Sequence, residues 1–230
     1  MPTKKQQRDS FRVFAGSAVN VIARILVFAC AAAAQQAPQL EISSPSSGEV
    51  VEMGQTISVS VRSPSHSEFS QVGVIGEDPL GFSTVATFVP ASVSIAIPKN
   101  ISCKRYMLTA NGVTPSGQTA HSRTILIDVE PPDPPVSLEL ASPNPVTMDN
   151  IGDHFPILVV GHFSHGNTLV LTESSRVTYS SSDASVATVD ANGGIKATGT
   201  GRASITVSYG SSKSLSLSIP VTVLPRPHRN

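Results

Sequence analysis

Tryptophan is absent from this chain of 230 residues, cysteine occurs only twice, and charged residues make up just 14% of it. Aromatics are also sparse, at 5%. The 16 basic and 16 acidic residues cancel. Such a chain lacks the clustered Lys and Arg that neutralise phosphates, which excludes nucleic acid as a partner. A charge-driven disordered tail is excluded as well, because 40% of the residues are hydrophobic. No apolar periodicity of 3.6 residues persists for three turns, so a helical architecture has no support. Present in quantity are the hydroxyl and turn formers: 34 Ser, 17 Thr, 18 Pro and 16 Gly. That balance describes many short strands joined by turns.

The N-terminus reads as an export address. Lys4, Lys5, Arg8 and Arg12 precede an apolar stretch that Asn20 and Arg24 interrupt. The uninterrupted run, Ile25 to Ala34, is ten residues long, against the roughly 20 needed to span a bilayer. A basic opening, a short apolar core and small residues at its end form a secretory signal peptide over residues 1–34, with cleavage after Ala34. A second reading concerns Val27-Phe28-Ala29-Cys30, which resembles the bacterial lipoprotein signal and implies a lipid anchor at Cys30. It departs from that pattern at Phe28, where a small residue is preferred. After cleavage at Ala34 the mature chain holds 11 basic and 15 acidic residues, a formal charge of −4. Cys103 is then its one thiol, so an intrachain disulfide is excluded and a small buried apolar role is expected. The C-terminal Leu224-Pro225-Arg226-Pro227-His228 shows no sorting motif and no apolar tail. No stable membrane span is therefore expected after signal cleavage.

Pro131-Pro132-Asp133-Pro134-Pro135 divides the mature chain near its midpoint and favours a semi-rigid polyproline spacer. Before it, Thr56 to Val61, Val93 to Ile97 and Thr124 to Val129 alternate apolar and polar residues, the period of half-buried strands. Tyr106 to Ala110 and Phe69 to Ile75 read as further strands, with turns at Ser44 to Gly48 and Asn111-Gly112. After it come Val136 to Leu140, an apolar run from Phe155 to Phe163, and Ala203 to Tyr209. In the last of these Ile205, Val207 and Tyr209 share one face. Val186 and Thr188 are expected on one face of a short strand, Ala187 and Val189 on the other, and Asn192-Gly193 supplies the positive-φ residues of a hairpin turn. Short strands with turns every eight to twelve residues indicate an all-β chain of two tandem immunoglobulin-like antiparallel β-sandwiches. The expected modules occupy residues 39–130 and 136–224, with 131–135 as the linker.

The segment Val177-Thr178-Tyr179-Ser180-Ser181-Ser182-Asp183, followed by Val186-Ala187-Thr188-Val189-Asp190-Ala191-Asn192-Gly193, a Gly199-Thr200-Gly201 turn and a closing Val221-Thr222-Val223, resembles the bacterial immunoglobulin-like domain of group 2 (BIG2) over about residues 136–223. Tyr179 stands where that family often has Trp. Ser44-Pro45, Gly48-Glu49-Val50-Val51 and Gly54 to Val59 resemble a bacterial Ig-like module more loosely. These resemblances imply a secreted or cell-surface bacterial protein, non-enzymatic, acting in adhesion, in carbohydrate or protein binding, or as a structural spacer.

Residues able to do chemistry are few. His154, His162 and His165 fall within twelve residues, and three imidazoles can hold Zn²⁺. They carry the alternative reading, a small secreted metal-dependent hydrolase or enzyme accessory. Strand-edge and loop roles are the commoner use of such histidines, so the expectation is no metal, no cofactor and no catalytic set. Asp149, Asp153, Asp183 and Asp190 lack the close acidic alternation of a calcium loop and read as turn residues. No Gly-x-Ser-x-Gly elbow is present. Recognition is left to loops and open strand edges, with an extracellular protein or polysaccharide as partner. Phe82, in Gly-Glu-Asp-Pro-Leu-Gly-Phe-Ser, is the candidate loop aromatic for ligand contact.

Overall fold

The computed structural model describes residues 37–85, 89–210 and 215–225. The signal peptide at 1–34, its cleavage after Ala34 and the alternative anchor at Cys30 lie outside the described residues. Among the described residues every regular element is a strand. In the first half these are β1 (Glu41–Ser44), β2 (Glu49–Glu52), β3 (Thr56–Arg62), β4 (Gln71–Gly76), β5 (Phe82–Val85), β6 (Ala91–Ala96), β7 (Arg105–Val113), β8 (Thr119–His121) and β9 (Ile125–Glu130). In the second they are β10 (Ser137–Leu140), β11 (Val146–Met148), β12 (His154–Pro156), β13 (Val159–His162), β14 (Thr168–Val170), β15 (Val177–Ser181), β16 (Ala187–Val189), β17 (Gly194–Ala197), β18 (Gly201–Tyr209) and β19 (Ser216–Val223).

The first half packs sheet β1-β3-β6 against sheet β2-β9-β7-β4-β5, with β8 paired to β7. The second is built from β10-β13-β14, β11-β19-β18-β15 and β12-β17-β16. The two halves open alike. The chain enters one sheet as β1 or β10, breaks, and crosses to the other sheet as β2 or β11. There it lies parallel to the module's last strand, β2 beside β9 and β11 beside β19. These two pairs qualify the all-antiparallel expectation. The crossover falls at Ser-Pro-Ser-Ser-Gly in the first half and at Ala-Ser-Pro-Asn-Pro in the second, segments whose prolines cannot donate to a ladder.

Period-2 alternation sets the core. Val59 and Val61 on β3 and Val93 and Ile95 on β6 meet Val72, Tyr106, Leu108 and Ile127 from the facing sheet. In the second half Ala203, Ile205, Val207 and Tyr209 are all buried, while Thr206 between them is exposed. Each such aliphatic side chain removed from water contributes about 2 kcal/mol. On β16, Ala187 is buried and Val189 packs partly on the core, while Thr188 is half-buried. Val186 is also buried, but it precedes the strand.

Three local expectations change. Asn111-Gly112 is not a turn but lies inside β7. A Cβ on Gly112 would stand 2.7 Å from Phe69 and 2.9 Å from Leu40, so the glycine serves a close approach. The run from Phe155 to Phe163 is two strands in separate sheets, β12 paired to β17 and β13 to β10 and β14. At the hairpin, Gly193 has φ +74°, whereas Asn192 keeps a negative φ.

Candidate functional site

The last four residues of β9 are all buried, which breaks strand alternation. Ile127 and Val129 face the first core. Asp128, 5% exposed, is covered by Arg105, whose Nε and Nη2 donate to its two carboxyl oxygens at 2.7 and 3.2 Å. Glu130 is fully buried, and its cover comes from the other half of the chain. Its Oε2 accepts from the Ser174 hydroxyl at 2.7 Å; its Oε1 accepts from the Ser175 amide at 2.7 Å and the Ser175 hydroxyl at 2.8 Å. Beside this set, Arg176 Nη1 donates to the Pro131 carbonyl at 3.2 Å and lies 3.5 Å from the Tyr209 hydroxyl. Pro131 and Pro135 are buried, so the proline segment is a packed joint. The two halves are thus held by acceptors of one and donors of the other, and the described residues all fall in a single compact unit.

Cys103 strengthens that joint. Although it belongs to the first half, its buried thiol joins the second half's core. Burial, and then the nearby Glu130 charge against the opposing pull of Arg176, push its pKa up to about 12 from 9.0. A thiol whose folded value is raised stabilises the fold fully below the unfolded value near 9.0, and that contribution is lost as pH rises through about 12. Burial likewise raises Tyr106 and Tyr209. The denaturation midpoint is therefore expected to fall between about pH 9 and pH 12, less steeply in Cys103→Ala. At about pH 8 a thiol reagent should leave Cys103 unlabelled in the native chain and label it after unfolding, as read by peptide mapping. Equal labelling of both states would place the thiol at the surface.

Against the joint lies a cleft of about 760 Å³. Its lining comes from Met53, Gly54 and Lys99 in the first half, Pro131, Pro132 and Asp133 in the proline segment, and Phe163, His165, Asn167 and Leu169 in the second half. Gly54 has φ +80°, and the Lys99 stem runs against it, its Cγ 3.0 Å from where a Cβ would be.

The histidines do not converge. His154 is on β12 opposite Lys196, and His162 is on β13 in another sheet, with Nε2 2.6 Å from Glu139 Oε2. His165 sits in the following turn, where Nδ1 lies 3.2 Å from the Ser164 hydroxyl. Among the described residues no three His, Cys, Asp or Glu side chains group to hold a metal ion. The aspartates cap turns: Asp153 accepts from the Asn150 amide, Asp183 from the Ser185 amide, and Asp190 from the Asn192 and Gly194 amides, all at 2.8–2.9 Å. Bonds from the Ser185 hydroxyl and then its amide hold Asp183 below the usual carboxylate range. Phe82 is not in a loop; it opens β5, directly across from Ile75 of β4. Glu130 escaped the sequence reading. Its place at a strand end just before the prolines is visible in the sequence, but its burial depends on donors 44 and 45 residues further on.

Residues 164–219 match the family model of the bacterial Ig-like domain (group 2). The matched segment holds the Ser174-Ser175 donors, Arg176 and the cleft residues His165, Asn167 and Leu169. Among solved structures, the chain is similar to the fibronectin(III)-like modules of Clostridium thermocellum CbhA, at 25% identity over 39% of this chain and 93% of that one, with a TM-score of 0.33. It is also similar to the D00-D0 domain of intimin, at 11% identity over 81% of this chain and 100% of that one, TM-score 0.35. A Parabacteroides merdae β-glucuronidase matches at 12% identity over 80% of this chain and 24% of the glucuronidase, TM-score 0.34. No curated protein matches the sequence. Among the described residues no helix is long and apolar enough to cross a membrane.

Proposed function

We propose that the chain is an exported, non-enzymatic binding protein of the bacterial cell exterior, its two Ig-like modules locked into one rigid platform. The fully buried Glu130, whose carboxylate accepts from Ser174 and Ser175 of the second module, carries this reading. A passive linker needs no such joint, whereas a surface shared by two modules requires their mutual orientation to be fixed. The basic opening and short apolar core at residues 1–34 support export. Arrays of glycans and of bacterial and host surface proteins, probed with the mature chain, test it. Saturable binding to one class is expected. Silence on both would assign the chain a spacer's role instead. The mature N-terminus, read by mass spectrometry, should begin at Gln35; a diacylated Cys30 would replace the soluble form by a lipid-anchored one.

A further inference from the structure

We propose that the junction cleft takes an extended peptide, which adds as a strand to the open edge of β14 and places an apolar side chain between Met53 and Leu169. The inference rests on the binding reading above and names its ligand class. β14 pairs with β13 on one side, and no other described strand pairs with it. The Leu171 amide donates to the Val159 carbonyl and the Phe163 amide to the Asn167 carbonyl. Hydrogen-bonded pairs alternate along an antiparallel ladder, so residues 167, 169 and 171 face β13. The amides and carbonyls of Thr168 and Val170 therefore point outward, without a strand to meet them. Val170 is 48% exposed, an apolar side chain on an unprotected edge.

Leu169 and Asn167 line the cleft. A strand added beside β14 would send the side chain opposite Leu169 to the face where Leu169 lies, because cross-strand neighbours share a face. Lys99 and Asp133, both in the cleft lining, have neither an ion pair nor a hydrogen bond among the described residues. Charges of both signs suit peptide side chains better than a neutral sugar. A sugar would also want an exposed Phe, Tyr or Trp face, and Phe163, the only such side chain in the lining, is 7% exposed.

The probe is a phage-displayed library of random nine-residue peptides selected on the full chain. Enriched peptides should alternate apolar and polar residues and carry a carboxylate. Thr168→Pro deletes one outward amide and leaves the β13 ladder intact, so thermal stability should hold while affinity drops about tenfold. Lys99→Glu should weaken the acidic peptides comparably. N-methylation of the peptide at one alternate set of amides should abolish binding, and at the other set should not. Absence of enrichment, or affinities indifferent to Thr168→Pro and to the methylation register, would overturn the proposal. A positive glycan or protein array together with that result would leave the binding reading standing and remove only this ligand class.

Discussion

Glu130→Ala is expected to lower stability by about 3 kcal/mol and to split one unfolding transition into two. The magnitude follows from what is stranded. Both Glu130 oxygens are acceptors, so truncation leaves the buried Ser174 hydroxyl with nothing to donate to, at about 1–3 kcal/mol for a buried unmet donor, while exposed Ser175 can turn its amide and hydroxyl to water. The splitting follows from where those donors sit. Each half has its own core, and among the described residues the other ties across the joint include the Arg176 bond to the Pro131 carbonyl, the Cys103 side chain and the partly buried Met53. Glu130→Gln should cost less, about 1 kcal/mol, because its amide oxygen can still accept from Ser175 while its NH₂ must turn Ser174 into an acceptor. Exposed Glu68→Ala serves as the control. Scanning calorimetry of all three decides the matter; a single unsplit transition in Glu130→Ala, shifted no more than the control, would show the two modules are coupled by something else.

Ile205→Asp should have the larger effect, more than about 4 kcal/mol, by placing a carboxylate at a fully buried position in the middle of β18. Ile205 pairs with Ser181 of β15 and Ile219 of β19, so its loss opens the centre of the four-stranded sheet. Hydrogen exchange should then be fast throughout residues 137–223. The first module should weaken too, because an unfolded second half no longer presents Ser174 and Ser175 to Glu130. Thr206→Asp, one residue along and exposed, should stay within about 0.5 kcal/mol of the parent. Equal behaviour of the two variants would refute the register of β18.

Strands such as Thr56 to Val61 and Ala203 to Tyr209 could be read directly because alternation is a local property, visible in consecutive residues. The turn at Asp183 was readable for the same reason: a short polar side chain bonding two residues ahead needs no distant partner. Gly112 misled, since its requirement comes from Phe69 and Leu40, brought to it only by the fold. The histidines were close in the chain yet parted in space, because β12 and β13 belong to different sheets. Glu130 was hidden for the opposite reason: the serine that covers it is 44 residues further on. Nothing local to an acidic residue at a strand end signals that it will be fully buried.

The parallel pairing of β2 with β9 and of β11 with β19 has a mechanical consequence. In each module the strand entering the second sheet and the strand leaving it run side by side in the same direction. Tension applied along the chain pulls β2 and β9 in opposite senses along their common axis. Their bonds, from Glu49 beside Ile127 to Glu52 beside Glu130, are then loaded together in shear and cannot be unzipped one by one. The same holds from Val146 beside Val221 to Met148 beside Val223. Each module thus meets a stretching force with a clamp across its terminal strands, and the first clamp ends on Glu130, the residue that ties the two modules together.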